Sequence, residues 1–545
     1  LVAANRPALT GVTAWVWGRW LAPPGERLAA WIYLRLLAAV YLVAFVSLWM
    51  QISGLAGVQG ILPARAYLEA IAARYGGTAY WLAPTLAWIS PTDGFLFALC
   101  GAGVALSILL ALGLLPVACC IGLWILYLSV SIPCQEFLWF QWDSLLLEAG
   151  FLAMFLAPWR VRSHPATDPP PSRAGLWLSR WLLFRLVLSS AIVKLASGDV
   201  SWRHFRALEF HFETQPIPAW TSWYVDHLPG AILRAATLGT LLIEGLAPFL
   251  IFAPRRIRFL GAALIAGLQL AVMATGNYAF FNWLTLALCV LLLDDGVWPR
   301  RWREAAGVPE PDEREPAPAP RRGRWHPWVV RPLAALLVVL SLVPFLRATN
   351  RETKWLGPIE KVYEGVWPFR TVNHYGLFAV MTTRRAEIVI EGSANGVDWL
   401  EYGFPYKPGD PRRVPRFVAP HQPRVDWQLW FAALSDIERQ AWYLSLCKRL
   451  LEGSPPVLSL LDRNPFPAEP PRYLRSILYE YRYTDPAVRK ATGVWWLRDP
   501  RGLYGPIVTL ENGQLVPVGV RPDTTSAPER APPTSRSAPG PRSPP

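Results

Sequence analysis

Over residues 31–348 the apolar positions gather into runs rather than amphipathic stripes, at 31–50, 95–115, 117–132, 138–157, 176–197, 230–253, 259–275, 280–294 and 328–348. About 20 apolar residues cross a bilayer as a helix. Nine spans are therefore expected, with eight or ten also compatible because several runs are short. Pro116 separates two of the runs, as a helix breaker does. No small-residue cleavage site follows Trp31 to Met50, which reads as a signal anchor. Residues 51–93, with an amphipathic portion near Tyr67 to Tyr75, are expected to lie on the membrane surface or re-enter its edge.

From Ala348 the period changes to two. RAEIVIEGSANGVDWLEYGFPY reads as two alternating strands joined at Asn395 and Gly396. Helices are expected at about Trp427–Leu451 and Pro471–Tyr481. The fold class is a polytopic α-helical membrane domain followed by an extracytoplasmic β-rich α+β domain. Its parts are a cytoplasmic segment 1–30, a multi-pass region 31–348, a β-rich domain 349–515 and a disordered Pro/Ser/Arg tail 516–545.

Charge orients this scheme. The net charge is +14, carried by arginines that collect between apolar runs, a pattern of membrane topology rather than nucleic-acid binding. With residue 1 inside, Arg160, Arg162 and Arg173, then Arg255, Arg256 and Arg258, then Arg300, Arg301 and Arg303 all fall in the cytoplasm. The loop 198–229 and everything after Arg347 fall outside.

Candidate chemistry is sparse. The six cysteines, Cys119 and Cys120 among them, sit mostly in apolar runs, and neither a disulfide scaffold nor a metal site is expected. There is no Asn-x-Ser/Thr sequon, Gly-x-Ser-x-Gly elbow or phosphate-cradling glycine loop, so no hydrolase, nucleotide enzyme or cofactor is indicated.

What stands out is charge within the apolar runs. The segment Cys134–Pro158 holds Glu136, Asp143 and Glu148, and a charge inside a bilayer costs roughly 2.5–3.5 kcal/mol on insertion scales. Counting about 1.5 Å per residue from the cytoplasmic ends puts Glu148, Arg185 and Glu244 in one layer. Asp143, Lys194 and Asp199 form a second layer nearer the outer face. Both layers read as structural ion pairs. The sharper alternatives are a lipid or ligand cavity, or Lys194, flanked by Ser189, Ser190 and Ser197, as a base or Schiff-base nucleophile with Asp143 and Asp199.

In the outer loop, Trp202, His204, Glu209, His211 and Glu213 read as aromatic anchors with salt bridges rather than metal ligands. In the outer domain, Phe417–Leu434 compresses His421, Gln422, Arg424, Asp426, Trp427 and Trp430 around a helix start, with Asp426 as the N-cap. These residues either knit the domain to the helix or form a client-binding surface.

Several separated stretches together resemble the lipase maturation factor family. They are FQWDSLLLEAGFLAMFLAP, LLFRLVLSSAIVKLASGDVSWRHFRALEFHFETQPIP, GNYAFFNWLTLALCVLLLDD and YKPGDPRRVPRFVAPHQPRVDWQLWFAAL with NPFP and PPRYLR, covering about residues 30–510. The resemblance implies a multi-pass membrane protein that helps dimeric lipases fold and assemble, with its C-terminal domain facing the client. Animal members reside in the endoplasmic reticulum. The arginine-rich, lysine-poor composition looks bacterial, which would imply the inner membrane. The membrane half is also distantly similar to the transmembrane part of vitamin K-dependent carboxylases, where a membrane lysine acts as a base. The reading is a non-enzymatic maturation factor whose partners are membrane lipids and a secreted client, in the family a lipase. The alternative is a membrane enzyme acting on a lipid, quinone or membrane-bound substrate through Lys194. A transporter would need an internal inverted repeat, and none is visible.

Overall fold

The structure, a computed structural model, describes residues 25–308, 327–349 and 356–518. Residues 1–24 of the expected N-terminal segment and 519–545 of the expected tail lie outside the described residues.

Backbone in hydrocarbon can satisfy its N–H and C=O groups only internally, so the apolar runs fold as helices. In order they are α1 (Arg27–Trp49), α2 (Ala64–Tyr75), α3 (Asp93–Ala111), α4 (Pro116–Ser131), α5 (Gln141–Ala153) and α6 (Arg173–Ala196). After these come α7 (Leu208–Thr214), α8 (Trp220–Asp226), α9 (Gly230–Leu250), α10 (Arg255–Thr275), α11 (Phe281–Val290) and α12 (Pro327–Arg347). Among the described residues, six helices, α1, α3, α6, α9, α10 and α12, are long and apolar enough to cross a membrane, and α4 and α11 are shorter apolar helices. Nine spans are not confirmed. The run 138–157 is not one span: a 3-10 turn at Gln135–Leu138 precedes α5, whose 13 residues reach only about 20 Å at 1.5 Å per residue. Pro116 opens α4 in its first turn, where a missing N–H costs nothing.

α1 lies at the centre, with Tyr33, Leu37, Tyr41, Phe45 and Leu48 all 0% exposed. Two glycines admit its aromatic rings. A Cβ at Gly103 would stand 2.5 Å from the Phe45 ring, and one at Gly150 would stand 1.9 Å from Tyr41 Oη. Tyr41 Oη instead donates to Leu146 O at 3.1 Å across this gap.

The two ends of the bundle differ. At one end Arg255 pairs with Asp294 at 2.6 Å, Arg180 pairs with Glu26 at 2.9 Å, and Asp295 accepts the Leu28 amide at 2.9 Å. The C-terminal domain covers the opposite end. It contains α13 (Gly357–Val366), α14 (Arg424–Ala433), α15 (Ala441–Leu451) and α16 (Pro486–Thr492). Its strands are β1 (Arg385–Ser393), β2 (Leu400–Glu401), β3 (Tyr473–Tyr483), β4 (Trp496–Leu503), β5 (Val508–Glu511) and β6 (Gln514–Pro517). They form one sheet in the order β2-β1-β3-β5-β6, with β4 also on β3.

The expected β1–β2 turn is present, and Ser393 and Asp398 bond to Asn395 within it. Two expected elements change. The helix expected at 471–481 is β3, paired antiparallel to β1 from Tyr473↔Ser393 to Tyr481↔Arg385. The helix expected at 427–451 starts earlier, at Arg424, and is broken by a turn and a 3-10 segment at Ile437–Arg439.

Candidate functional site

The charged residues of the membrane half do not form two layers among themselves. Lys194 pairs with Glu244 within that half, whereas Asp143, Glu148, Arg185 and Glu213 reach to the C-terminal domain and help hold it at three clamps.

The first clamp is built on Asp143, in the first turn of α5. Asp143 and Arg424 are 0% exposed and bond twice, Arg424 Nη1 to Oδ2 at 2.6 Å and Nη2 to Oδ1 at 2.9 Å. Tyr127 Oη donates to Asp143 Oδ1 at 2.5 Å, and Arg424 Nη1 also donates to Phe137 O at 2.9 Å. This is the fork-to-carboxylate geometry that makes a buried pair tolerable. The end of α1 completes it. Gln51 donates to Gln422 O at 2.8 Å and accepts the Arg424 amide at 2.9 Å, while Ser47 Oγ lies 2.9 Å from His421 Nδ1. Asn277, between α10 and α11, accepts the Val418 amide at 2.7 Å and donates to Arg416 O at 2.8 Å.

Glu148 and Arg185 make the second clamp, where the loop between α13 and β1 descends into the bundle. Arg185 pairs with Glu148 and donates to Asn373 O at 3.1 Å. Glu148 Oε2 in turn accepts the Asn373 amide at 2.9 Å and Tyr375 Oη at 2.8 Å.

The third clamp joins the loop 198–229 to the sheet. Arg385, 0% exposed at the start of β1, donates to Glu213 O at 2.8 Å, Pro216 O at 2.9 Å and Glu387 at 2.6 Å. The Glu213 carboxylate accepts the Tyr483 amide at 2.8 Å, and Trp430 Nε1 donates to Thr214 O at 2.9 Å. His211 lies 2.9 Å from Tyr278 Oη, which donates to Gln215 Oε1 at 2.9 Å. Because that hydroxyl spends its proton on Gln215, it must accept from His211 Nε2–H. Burial, then the Lys194 charge, pushes the His211 imidazole down to about 4, so it stays neutral.

Several expectations are corrected. Glu244 does not join Glu148 and Arg185; both its oxygens accept from Lys194, at 2.8 and 2.7 Å. The depth count assumed spans that end at one level, whereas α9 begins beyond the end of α6 and brings Glu244 down to Lys194. Asp143 and Asp199 do not face Lys194: Asp143 is taken by Arg424, and Asp199 caps the turn Val200–Arg203 and accepts the Met381 amide at 3.0 Å. The lysine-centred catalytic set is therefore not assembled.

Trp202 is not a lipid-facing anchor. It is 2% exposed, with Lys194 Nζ 5.1 Å from its ring centre and its Nε1 donating to Phe378 O at 2.8 Å. Glu209 does form the expected salt bridges, with Arg206 at 2.6 Å and Arg234 at 2.7 Å, and His204 is exposed. Asp426 is not an N-cap. Pro423 holds that position, and the Asp426 carboxylate accepts the Tyr406 and Lys407 amides at 2.9 and 2.8 Å. Trp427 and Trp430, expected on a client-binding surface, are 3% and 7% exposed, with Trp427 stacked edge-on against Trp142 at 4.7 Å. The block Phe417–Leu434 thus knits the two halves together. Sequence reasoning missed Ser47, Gln51, Asn277, Asn373, Tyr375 and Arg385; for Ser47, Gln51 and Asn277 the available signal was a polar side chain at or near the end of an apolar run, whereas Asn373, Tyr375 and Arg385 lie beyond the last of those runs.

Comparison with known proteins divides the chain at the same seam. A family model for the lipase maturation factor transmembrane domain matches residues 28–300, and one for the lipase maturation factor C-terminal domain matches 371–506. Lipase maturation factor 1 of Bos taurus is 35% identical over 501 residues, covering 87% of this chain and 88% of that protein. The chain belongs to the lipase maturation factor family. Lipase maturation factor 2 of Homo sapiens is 34% identical over 638 residues, covering 94% of this chain and 87% of that protein. The same factor from Gallus gallus is 35% identical over 588 residues, covering 89% and 82%. No solved structure matches the chain. In this lipase maturation factor relative, every clamp joins one family domain to the other: Asp143, Glu148, Arg185 and Gln215 lie in the first match, and Asn373, Arg385 and Arg424 in the second.

Proposed function

We propose that this chain is a membrane-anchored maturation factor that holds folding intermediates of a secreted lipase, without chemistry of its own, until they assemble. The observation that carries the reading is the kinship with lipase maturation factors across both domains. The clamps support a holding role, because they fix the sheet domain on its membrane base around the buried pairs Asp143–Arg424, Glu148–Arg185 and Arg385–Glu387. Holding requires exposed apolar surface, and in the C-terminal domain Phe431 is 41%, Leu434 43% and Leu503 50% exposed. The arginine-bearing end of the bundle supports a cytoplasmic assignment for that end and an extracytoplasmic one for the C-terminal domain.

The test is co-expression with a dimeric lipase, measuring secreted activity per molecule of inserted factor. Secreted activity should fall when Phe431 and Leu434 are changed to Ser, with insertion unchanged. Equal lipase activity with and without the factor would sink the proposal. Reporter fusions at the C-terminus check the orientation. Lys194→Met, if it abolished function in a folded protein that still binds its client, would restore the enzyme reading.

A further inference from the structure

Most arginines on the sheet of the C-terminal domain are matched by acids, as in Arg475–Glu391, Arg482–Asp499, Arg498–Glu401 and Arg501–Glu480. Arg489 and Lys490, on α16, have no carboxylate partner among the described residues. They share a cleft of about 360 Å³ lined by Pro486, Arg489, Lys490, Gly493 and Trp495. The Arg489 guanidinium sits among three aromatics, 3.7 Å from the Trp495 ring centre, 4.3 Å from Trp223 and 4.9 Å from Tyr224. It donates to Tyr224 Oη at 3.2 Å. Contact with ring faces leaves the Arg489 charge uncancelled, and Lys490 beside it adds a second, exposed one.

The cleft opens where the helices end. α8, which supplies Trp223 and Tyr224, is tied to the last turn of α10 by Thr221 Oγ1 to Ala274 O at 2.6 Å and Ser222 Oγ to Thr275 O at 2.7 Å. Beside the cleft Trp220, Tyr224 and Phe417 are 44%, 49% and 46% exposed, with the Trp220 ring 5.9 Å from Tyr224 and 6.0 Å from Phe417. Three residues separate α8 from α9, on which Ile232, Leu242 and Leu246 are 50%, 49% and 61% exposed. Trp and Tyr collect at the headgroup level of a bilayer, and the apolar strip below them is where acyl chains lie.

We propose that this cleft binds the headgroup of an anionic phospholipid, its phosphodiester on Arg489 and Lys490, its glycerol on the Trp220–Tyr224–Phe417 belt and its chains along α9. A free phosphate would use the two cations but leave the adjoining apolar strip without a role.

Native mass spectrometry of the full chain in detergent, with phosphatidylglycerol or phosphatidylcholine added, tests the assignment. The wild type should retain phosphatidylglycerol preferentially. Lys490→Gln should weaken that retention about fivefold, and the Arg489→Gln, Lys490→Gln double variant by a further similar factor, as expected for the loss of about 1 kcal/mol per cation near an anionic surface. Phosphatidylcholine retention should not change. Lys490 is exposed, so its single variant reports on binding even if loss of the Arg489 stack impairs folding. Equal retention of the two lipids by the wild type, unaltered retention by the single variant, or displacement of the lipid by inorganic phosphate would each overturn the proposal.

Discussion

Without its guanidinium partner, Asp143 would keep the Tyr127 hydroxyl but lose its counter-charge at a site with no exposure to water. Arg424→Met should therefore lower stability by about 3–5 kcal/mol, the usual consequence of stranding one member of a buried pair. The double variant Asp143→Leu, Arg424→Met should recover part of the loss, and thermal unfolding in detergent reads both. Gly150→Ala should destabilise by about 1–3 kcal/mol, because its Cβ would meet Tyr41 Oη; the additional change Tyr41→Phe should relieve it. Asp226 carries a pH signature. Burial, and then the Glu213 charge, pushes its carboxyl from 3.8 up to about 7. Between those values the folded protein holds a proton that the unfolded chain has released, so this group's contribution to stability is lost as pH rises through the window. Asp226→Asn should flatten that part of the profile, seen as melting midpoints that no longer fall between its acidic and neutral ends. The sequence exposed the acids and cations at this scale and paired Glu148 with Arg185 correctly, but it misplaced Glu244 and Asp143, since the depth count could not foresee a partner supplied by Arg424, far along the chain.

At the scale of elements, the boundary errors share one cause. α5 is short because the chain must turn at Trp139 and Phe140 to present Asp143 to α14, and no periodicity within the run records that demand. β3 read as a helix because its buried face changes along the strand, from Leu474 and Ser476 to Tyr481 and Tyr483, which breaks the period of two; the alternating Tyr479, Tyr481 and Tyr483 were the overlooked strand signal. The β1–β2 turn was legible because Asn-Gly needs no distant partner. The loop from Arg370 to Met381 depends on Glu148 for its place. Glu148→Gln removes the charge while keeping the shape, and hydrogen exchange at Asn373–Gly376 should then quicken while α1 stays protected.

The whole molecule behaves as one body although two family domains compose it. Trp427, Trp430 and Arg424 are buried against residues of the membrane half. The C-terminal domain produced alone should therefore aggregate, and a soluble monodisperse fragment by size-exclusion chromatography would contradict the clamped arrangement. One consequence concerns the order of synthesis. Arg424 is made 281 residues after Asp143, a delay of roughly 14–56 seconds at 5–20 residues per second. Throughout that interval the nascent chain carries an acid whose counterion does not yet exist, so the ribosome's last third decides the fate of its first. Chains that stop short of Arg424 should be cleared faster in pulse-chase than chains that stop just beyond α14, which makes the Asp143 clamp a length check on the protein's own completion.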